Sequence, residues 1–150
     1  MDYDRLRREQ QELLYQQIPL TRTMAMQFDA FDGTSLTLSA DLEPNLNAHN
    51  AAFAGSLYSA GAVCAWSMIL LHMRMHELEG PVVVAHAEID YYKPITERII
   101  ARCEFPDYRA AFDQLRERGR VRIDLQADMH TARGLAAKFT GQYALRREST

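Results

Sequence analysis

Three observations predict an α+β fold in which a curved antiparallel sheet of about six strands wraps round one long central helix. No Asp, Glu, Lys or Arg occurs between Glu43 and Arg74. Segments on both sides of that uncharged stretch alternate apolar and polar residues with a period of two. Turn signals join the alternating segments into hairpins, Asp32-Gly33 being the strongest because both residues tolerate positive φ. The chain has 150 residues, enough for a single domain over 1–150 with residues 1–18 as an N-terminal helical extension.

The elements follow in order. Asp2 to Gln17 is polar, with Leu6, Leu13 and Leu14 as a narrow helical stripe, and Pro19 stops it. From Met24 the period changes: Met24, Met26, Phe28 and Ala30 share one face, with Phe31 on the other. After Asp32-Gly33, Leu36, Leu38, Ala40 and Leu42 alternate with polar residues. Glu43 to Asn50 is a loop, rich in Asn and broken by Pro44. A helix from about Ala54 to His76 then spans roughly 35 Å. Gly55, Ser59 and Ala62 form a small-residue face suited to close approach to a sheet, and Trp66, Met68, Leu70 and Leu71 supply bulk.

In Val82 to Tyr92, the residues Val83, Ala85, Ala87, Ile89 and Tyr91 make the face expected to cover the helix. The opposite stripe, His86, Glu88 and Asp90, points outward, and its spacing is not that of a metal site, so no metal is predicted. Lys93-Pro94 interrupts before a strand over Arg98 to Phe105. Asp107 caps a short helix with Tyr108, Ala111, Phe112 and Leu115 on one face, ended by Gly119. Val121 to Met129 and Leu135 to Leu145 alternate at every second residue and form the last hairpin.

Composition narrows the function classes. Apolar residues are 47% and charged residues 25%, and the net charge is −3, which argues against a nucleic-acid partner. The uncharged stretch is long enough to span a bilayer, yet its Asn, His, Gly and Ser residues suit protein rather than lipid on all sides, so no membrane partner is expected. Met1 to Gln17 has no apolar h-region, which reads as a cytoplasmic protein, and Cys64 and Cys103 read as reduced buried thiols.

The loop-to-helix junction reads Pro44-Asn45-Leu46-Asn47-Ala48-His49-Asn50-Ala51-Ala52-Phe53-Ala54-Gly55-Ser56-Leu57-Tyr58-Ser59, and a later strand ends Tyr91-Tyr92-Lys93-Pro94. Over roughly Ile18 to Arg146 the chain resembles the "putative thioesterase" family of the YiiD C-terminal domain type, which carries similar P-N-x-N and F-x-G-S-L-Y patterns and belongs to the hotdog superfamily. The resemblance implies a sheet wrapped round one helix, dimers joined edge to edge or dimers of dimers, and a small-molecule acyl thioester as substrate. Coenzyme A would enter as part of that substrate, with no separate cofactor. By resemblance Asn47 occupies the Asn position of better-known hotdog thioesterases, and Phe53-Ala54-Gly55 their His-Gly-Gly turn. Their helix acid would fall near Ala62, but no Asp or Glu exists from Pro44 to His76.

Thioester hydrolysis needs donors for the developing oxyanion, and a helix N-terminus offers free amides. The amides of Gly55 and Ser56 are the candidates, although Gly55 equally suits helix packing. Asn47 is a candidate to orient a water or the carbonyl, and His49 to act as base, although loop Asn and His residues also serve their own backbone or solvent. Asn45, Asn50, Phe53, Tyr58, Ser59 and Trp66 are expected to bind substrate, with the acyl tail near Phe53, Tyr58 and Trp66. Arg116, Arg118, Arg120 and Arg122 read as a solvated surface rather than a phosphate site. The expected reaction is hydrolysis by direct water attack at a dimer-interface pocket. The alternatives are a non-catalytic acyl- or coenzyme A-binding protein and a dehydratase-like lyase.

Overall fold

A computed structural model describes residues 1–148. Helix α1 (Tyr3–Gln17) begins where Asp2 accepts from the Arg5 amide at 3.0 Å. Its inward stripe is Leu6, Gln10 and Leu14, four residues apart. Leu13, expected in that stripe, lies one position and so about 100° of turn away, half-buried outside the core cluster. A short helix, α2 (Leu20–Thr23), leads into strands β1 (Met26–Phe31) and β2 (Ser35–Ala40). Between them Asp32 accepts from the amides of Thr34 and Ser35, and Gly33 takes a φ of +97°. A bulge between Phe28 and Ala30 reverses the expected faces, so Phe31 is buried and Ala30 exposed.

Six antiparallel strands form one sheet in the order β1-β2-β4-β5-β6-β3. The remaining members are β3 (Val82–Tyr91), β4 (Ile99–Glu104), β5 (Arg120–Thr131) and β6 (Gly134–Arg146). The last hairpin keeps its inward residues over nearly its whole length, as the alternation predicts. In β3 a register shift between Val84 and His86 overturns the simple alternation. Val82 is buried, Val83 and Ala85 are exposed, and Ala87 and Ile89 are half-buried against the core. The His86, Glu88, Asp90 side faces out, with His86 and Glu88 3.0 Å apart. Helix α4 (Tyr108–Arg118) joins β4 to β5 and ends at Gly119 in the left-handed region (φ +76°); Asp107, expected as its cap, makes no capping bond.

Helix α3 (Ala54–Met75) crosses the concave face. It is long and apolar enough to cross a membrane, but its Leu57, Ala60, Cys64, Ala65 and Met68 are buried in the same core as the inner faces of β2, β4, β5 and β6. Close approach occurs at Gly61, where a Cβ would lie 2.5 Å from the Phe139 Cβ. The expected approach face, Gly55, Ser59 and Ala62, is instead half-exposed. The reason is rotational: Gly61 falls among the large apolar residues of α3, and a glycine there lets the sheet come nearest. Two donors lock the helix to the last two strands of the sheet, Tyr143 Oη of β6 to the Ala62 carbonyl (2.8 Å) and Trp66 Nε1 to the Val82 carbonyl of β3 (2.9 Å).

Candidate active site at the start of the central helix

The Asn-rich loop folds onto its own backbone before it delivers the helix. A 3₁₀ turn (Glu43–Asn45) buries Asn45, whose side chain donates to the carbonyls of Met24 (2.8 Å) and Asp41 (2.7 Å). At 2% exposure, Asn45 is a strut and not a group free to meet a substrate. Asn47 Oδ1 accepts from the amides of His49 (2.8 Å) and Ala51 (3.1 Å), an Asx-turn of the kind such loops favour. Its Nδ2 makes no hydrogen bond among the described residues. Asn50 sits at φ +60°, and both it and His49 are exposed. The loop is tied across to the segment after β3 by the Ala52 amide on the Ile95 carbonyl (2.8 Å).

Helix α3 then starts without a side-chain cap. The Phe53 carbonyl accepts from the amides of Ser56 (2.9 Å) and Leu57 (3.1 Å). Ser56, expected to donate to an oxyanion, therefore has its amide engaged. The amides of Ala54 and Gly55 have no backbone acceptor among the described residues. The free pair thus lies one residue earlier than the sequence suggested. The Phe53 ring, 55% exposed, lies over Gly55: a Cβ on that glycine would meet Phe53 Cε2 at 2.5 Å.

A cavity of about 320 Å³ opens here. Asn47, Ala54 and Leu57 form one side, and Tyr91, Lys93 and Pro94, where β3 ends, form the other. Tyr91 Oη donates to the Ala54 carbonyl at 2.8 Å, clamping the end of β3 to the first residue of the helix. Partial burial, with Tyr58 nearby, pushes the Tyr91 phenol above its ordinary value, so it stays a protonated donor at neutral pH. Lys93 Nζ donates to the Arg133 carbonyl (2.6 Å), placing a cation at the rim. The first turn of α3 carries no acid, so the positive end of the helix dipole and Lys93 act in the same sense.

The expected substrate-binding set does not converge in one chain. Ser59 Oγ returns to the Gly55 carbonyl (2.9 Å), and Tyr58 stands edge-on to Phe139 at 5.4 Å. His49 and Asn50 are not in the cavity wall. Trp66 lies about 20 Å along the helix from Phe53, in a second cavity of about 350 Å³ with Ile18, Ala62, Val63, Val83, Val84 and Tyr143. That cavity is apolar, and Ala62, where the resemblance looked for an acid, is part of its wall. Cys64 is fully buried, and burial pushes its thiol up to about 12, which removes it as a nucleophile. Sequence reasoning passed over Tyr91, Lys93 and Ala54 as site residues. The available signal was the break at Lys93-Pro94, which ends β3 beside the helix tip.

Among solved structures, a protein of unknown function from Chlorobaculum tepidum TLS matches with a TM-score of 0.92 and 29% identity over 97% of each chain. A structure titled a putative thioesterase, from Shewanella oneidensis, matches at 0.88 and 28% identity, covering 95% of this chain and 99% of that one. The E. coli PaaI protein of the phenylacetic acid degradation operon shares the fold at 0.71, with 12% identity over 99% and 97% of the two chains. The architecture is the hotdog fold. The family described as "Putative thioesterase (yiiD_Cterm)" matches residues 7–147, and the chain belongs to that family.

Proposed function

We propose that this chain hydrolyses an acyl thioester, linked to coenzyme A or to a carrier protein, at the cavity beside the start of α3. The observation that carries the reading is the pair of unpaired amides, Ala54 and Gly55, at a helix N-terminus whose first residue, Ala54, lines that cavity. Water attacks the thioester carbon, and the carbonyl oxygen takes up the negative charge against those amides. Collapse breaks the C–S bond; the thiolate leaves and takes the proton released by the attacking water, giving acid and thiol. Asn47 acts through its free Nδ2 as a donor toward the carbonyl or the water, because its Oδ1 is already held by two amides.

Self-association completes the site in this proposal. Strand β3 is a sheet edge with Val83 and Val84 exposed, and two such edges pair most simply about a two-fold axis, antiparallel. That pairing sets the start of one β3 against the end of the other. The apolar cavity at Trp66, Val83 and Val84 of one copy then adjoins the cavity at Tyr91 of its twin, offering the acyl tail a dry slot. A panel of acyl-coenzyme A substrates with free-thiol detection tests the reading: thiol release by the native protein is expected, and release by none of the panel would defeat it.

A second reading rests on a specific feature: among the described residues the cavity wall contains neither a carboxylate nor an imidazole. Non-catalytic acyl-thioester binding needs neither, whereas a dehydratase-like lyase needs both. A thermal shift on addition of an acyl-coenzyme A without thiol release would favour the binding role.

A further inference from the structure

The two edges of this sheet are finished differently. An edge strand exposes backbone N–H and C=O groups that another strand can pair with. On β1 three of those groups, on Met26 and Phe28, are taken by side chains of α1. Gln11 Oε1 accepts from the Phe28 amide at 2.6 Å, and Arg7 Nη1 donates to the Phe28 carbonyl at 2.8 Å. The Met26 carbonyl accepts from Gln11 Nε2 at 3.3 Å and from Tyr15 Oη. Arg7, Gln11 and Tyr15 are four residues apart and share one face of the helix. The adjoining stripe, Leu6, Gln10 and Leu14, anchors α1 in the core, and Arg74 pairs with Glu9 from α3. Gln11 thus offers β1 both an acceptor and a donor, as a neighbouring strand would. On β3, by contrast, Trp66 on the Val82 carbonyl is the one side chain that reaches the strand's backbone among the described residues.

We infer that α1 is an edge guard: its Arg7, Gln11, Tyr15 face occupies the pairing edge of β1 and closes it to strand addition by a second copy of this chain. The consequence concerns stoichiometry. A sheet with two open edges grows without limit, because each added copy brings a new free edge. With one edge sealed, pairing can use β3 alone and stops at two copies.

The test combines Arg7→Ala, Gln11→Ala and Tyr15→Phe, which leave Leu6, Gln10 and Leu14 untouched. Mass is measured by light scattering on size exclusion over a concentration series. Wild type is expected at one fixed mass. The variant is expected to rise with concentration to at least double that mass, with faster hydrogen exchange at the Phe28 amide when dilute. A variant that keeps the wild-type circular dichroism and the wild-type mass at every concentration overturns the inference. If the triple variant unfolds, Gln11→Ala alone removes the Phe28 amide's acceptor and is judged by the same criterion. A monomeric wild type would defeat the β3 pairing proposed above, whereas the guard is judged by the variant's growth relative to wild type, whatever that mass is.

Discussion

A single methyl group at Gly61 is the sharpest probe of how α3 sits in the sheet. The new Cβ would lie 2.5 Å from the Phe139 Cβ and 2.6 Å from its Cγ, well inside the 3.4–4 Å of ordinary contact. Turning the Phe139 ring brings no relief, because its Cβ is fixed by the backbone of β6, a strand paired on both sides. Relief requires α3 to move off the sheet and loosen Leu57, Cys64 and Met68. Overpacking of this kind costs about 3 kcal/mol, the upper end of the usual range. Replacing a mid-helix glycine returns about 1 kcal/mol of propensity, so Gly61→Ala is expected to lose about 2 kcal/mol. For a chain of this size that lowers Tm by about 4–8 °C, read by circular dichroism melting and checked by urea unfolding. Gly55→Ala is the matched control, since its Cβ is also placed 2.5 Å from a carbon, Phe53 Cε2. There the obstacle is the far end of an exposed ring that can turn into water, and Tm should hold or rise. If Gly61→Ala melts at or above wild type, or if the two variants fall together, the packing argument is refuted.

Other expectations follow from the same contacts. Asn47→Asp keeps the oxygen that holds the His49 and Ala51 amides but removes the Nδ2 donor, so thioester turnover should fall while Tm is preserved. Equal turnover would take Asn47 out of the site. His72 is fully buried among Phe31, Phe105, Tyr108, Phe112 and His76. Burial lowers its pKa from 6.5 to about 4, with the Gly33 carbonyl, outside hydrogen-bonding geometry, as the opposing influence. The unfolded chain therefore binds this proton below pH 6.5 and the fold only near pH 4. Stability is complete above pH 6.5 and falls by about 3 kcal/mol as the pH drops to 4. In His72→Phe that part of the pH dependence should flatten, and an unchanged urea midpoint profile would contradict it. Cys64 and Cys103 are both buried with raised pKa values, so a thiol reagent at pH 8 should label neither until denaturant is added. Tyr91→Phe loses the bond to the Ala54 carbonyl, at a stability cost of about 1 kcal/mol, and slower turnover is expected because the helix tip is no longer clamped.

The local elements were legible because each depends on neighbours in the chain. The alternation from Val121 to Met129 and from Leu135 to Leu145 marks two strands with one buried face, and Asp32-Gly33 marks a turn. The absence of charge from Pro44 to Met73 marks a helix surrounded by protein. Where the reading slipped, one extra residue was responsible. The bulge near Asp29 reverses the faces after it and the one near Ala85 those before it, and a period-two pattern cannot show such a slip when residues of both kinds lie on each side.

The candidate site was legible in location but not in membership. Asn45 and Asn47 are equivalent in the sequence; only the folded loop makes one a buried strut and leaves the other with a free amide at a cavity. Ser56 is as available as Gly55 by sequence, but in the fold the Phe53 carbonyl takes its amide. Tyr91 reaches Ala54 across 37 positions, a contact that no spacing rule contains. The sequence by itself determined the fold class, the central helix and the region of its tip, because periodicity, turn residues and burial are read over a few neighbouring residues. Tertiary structure alone decided which amides stay unpaired, which aromatic meets the helix and which sheet edge is sealed. Those outcomes depend on groups far apart in the chain competing for the same few hydrogen bonds.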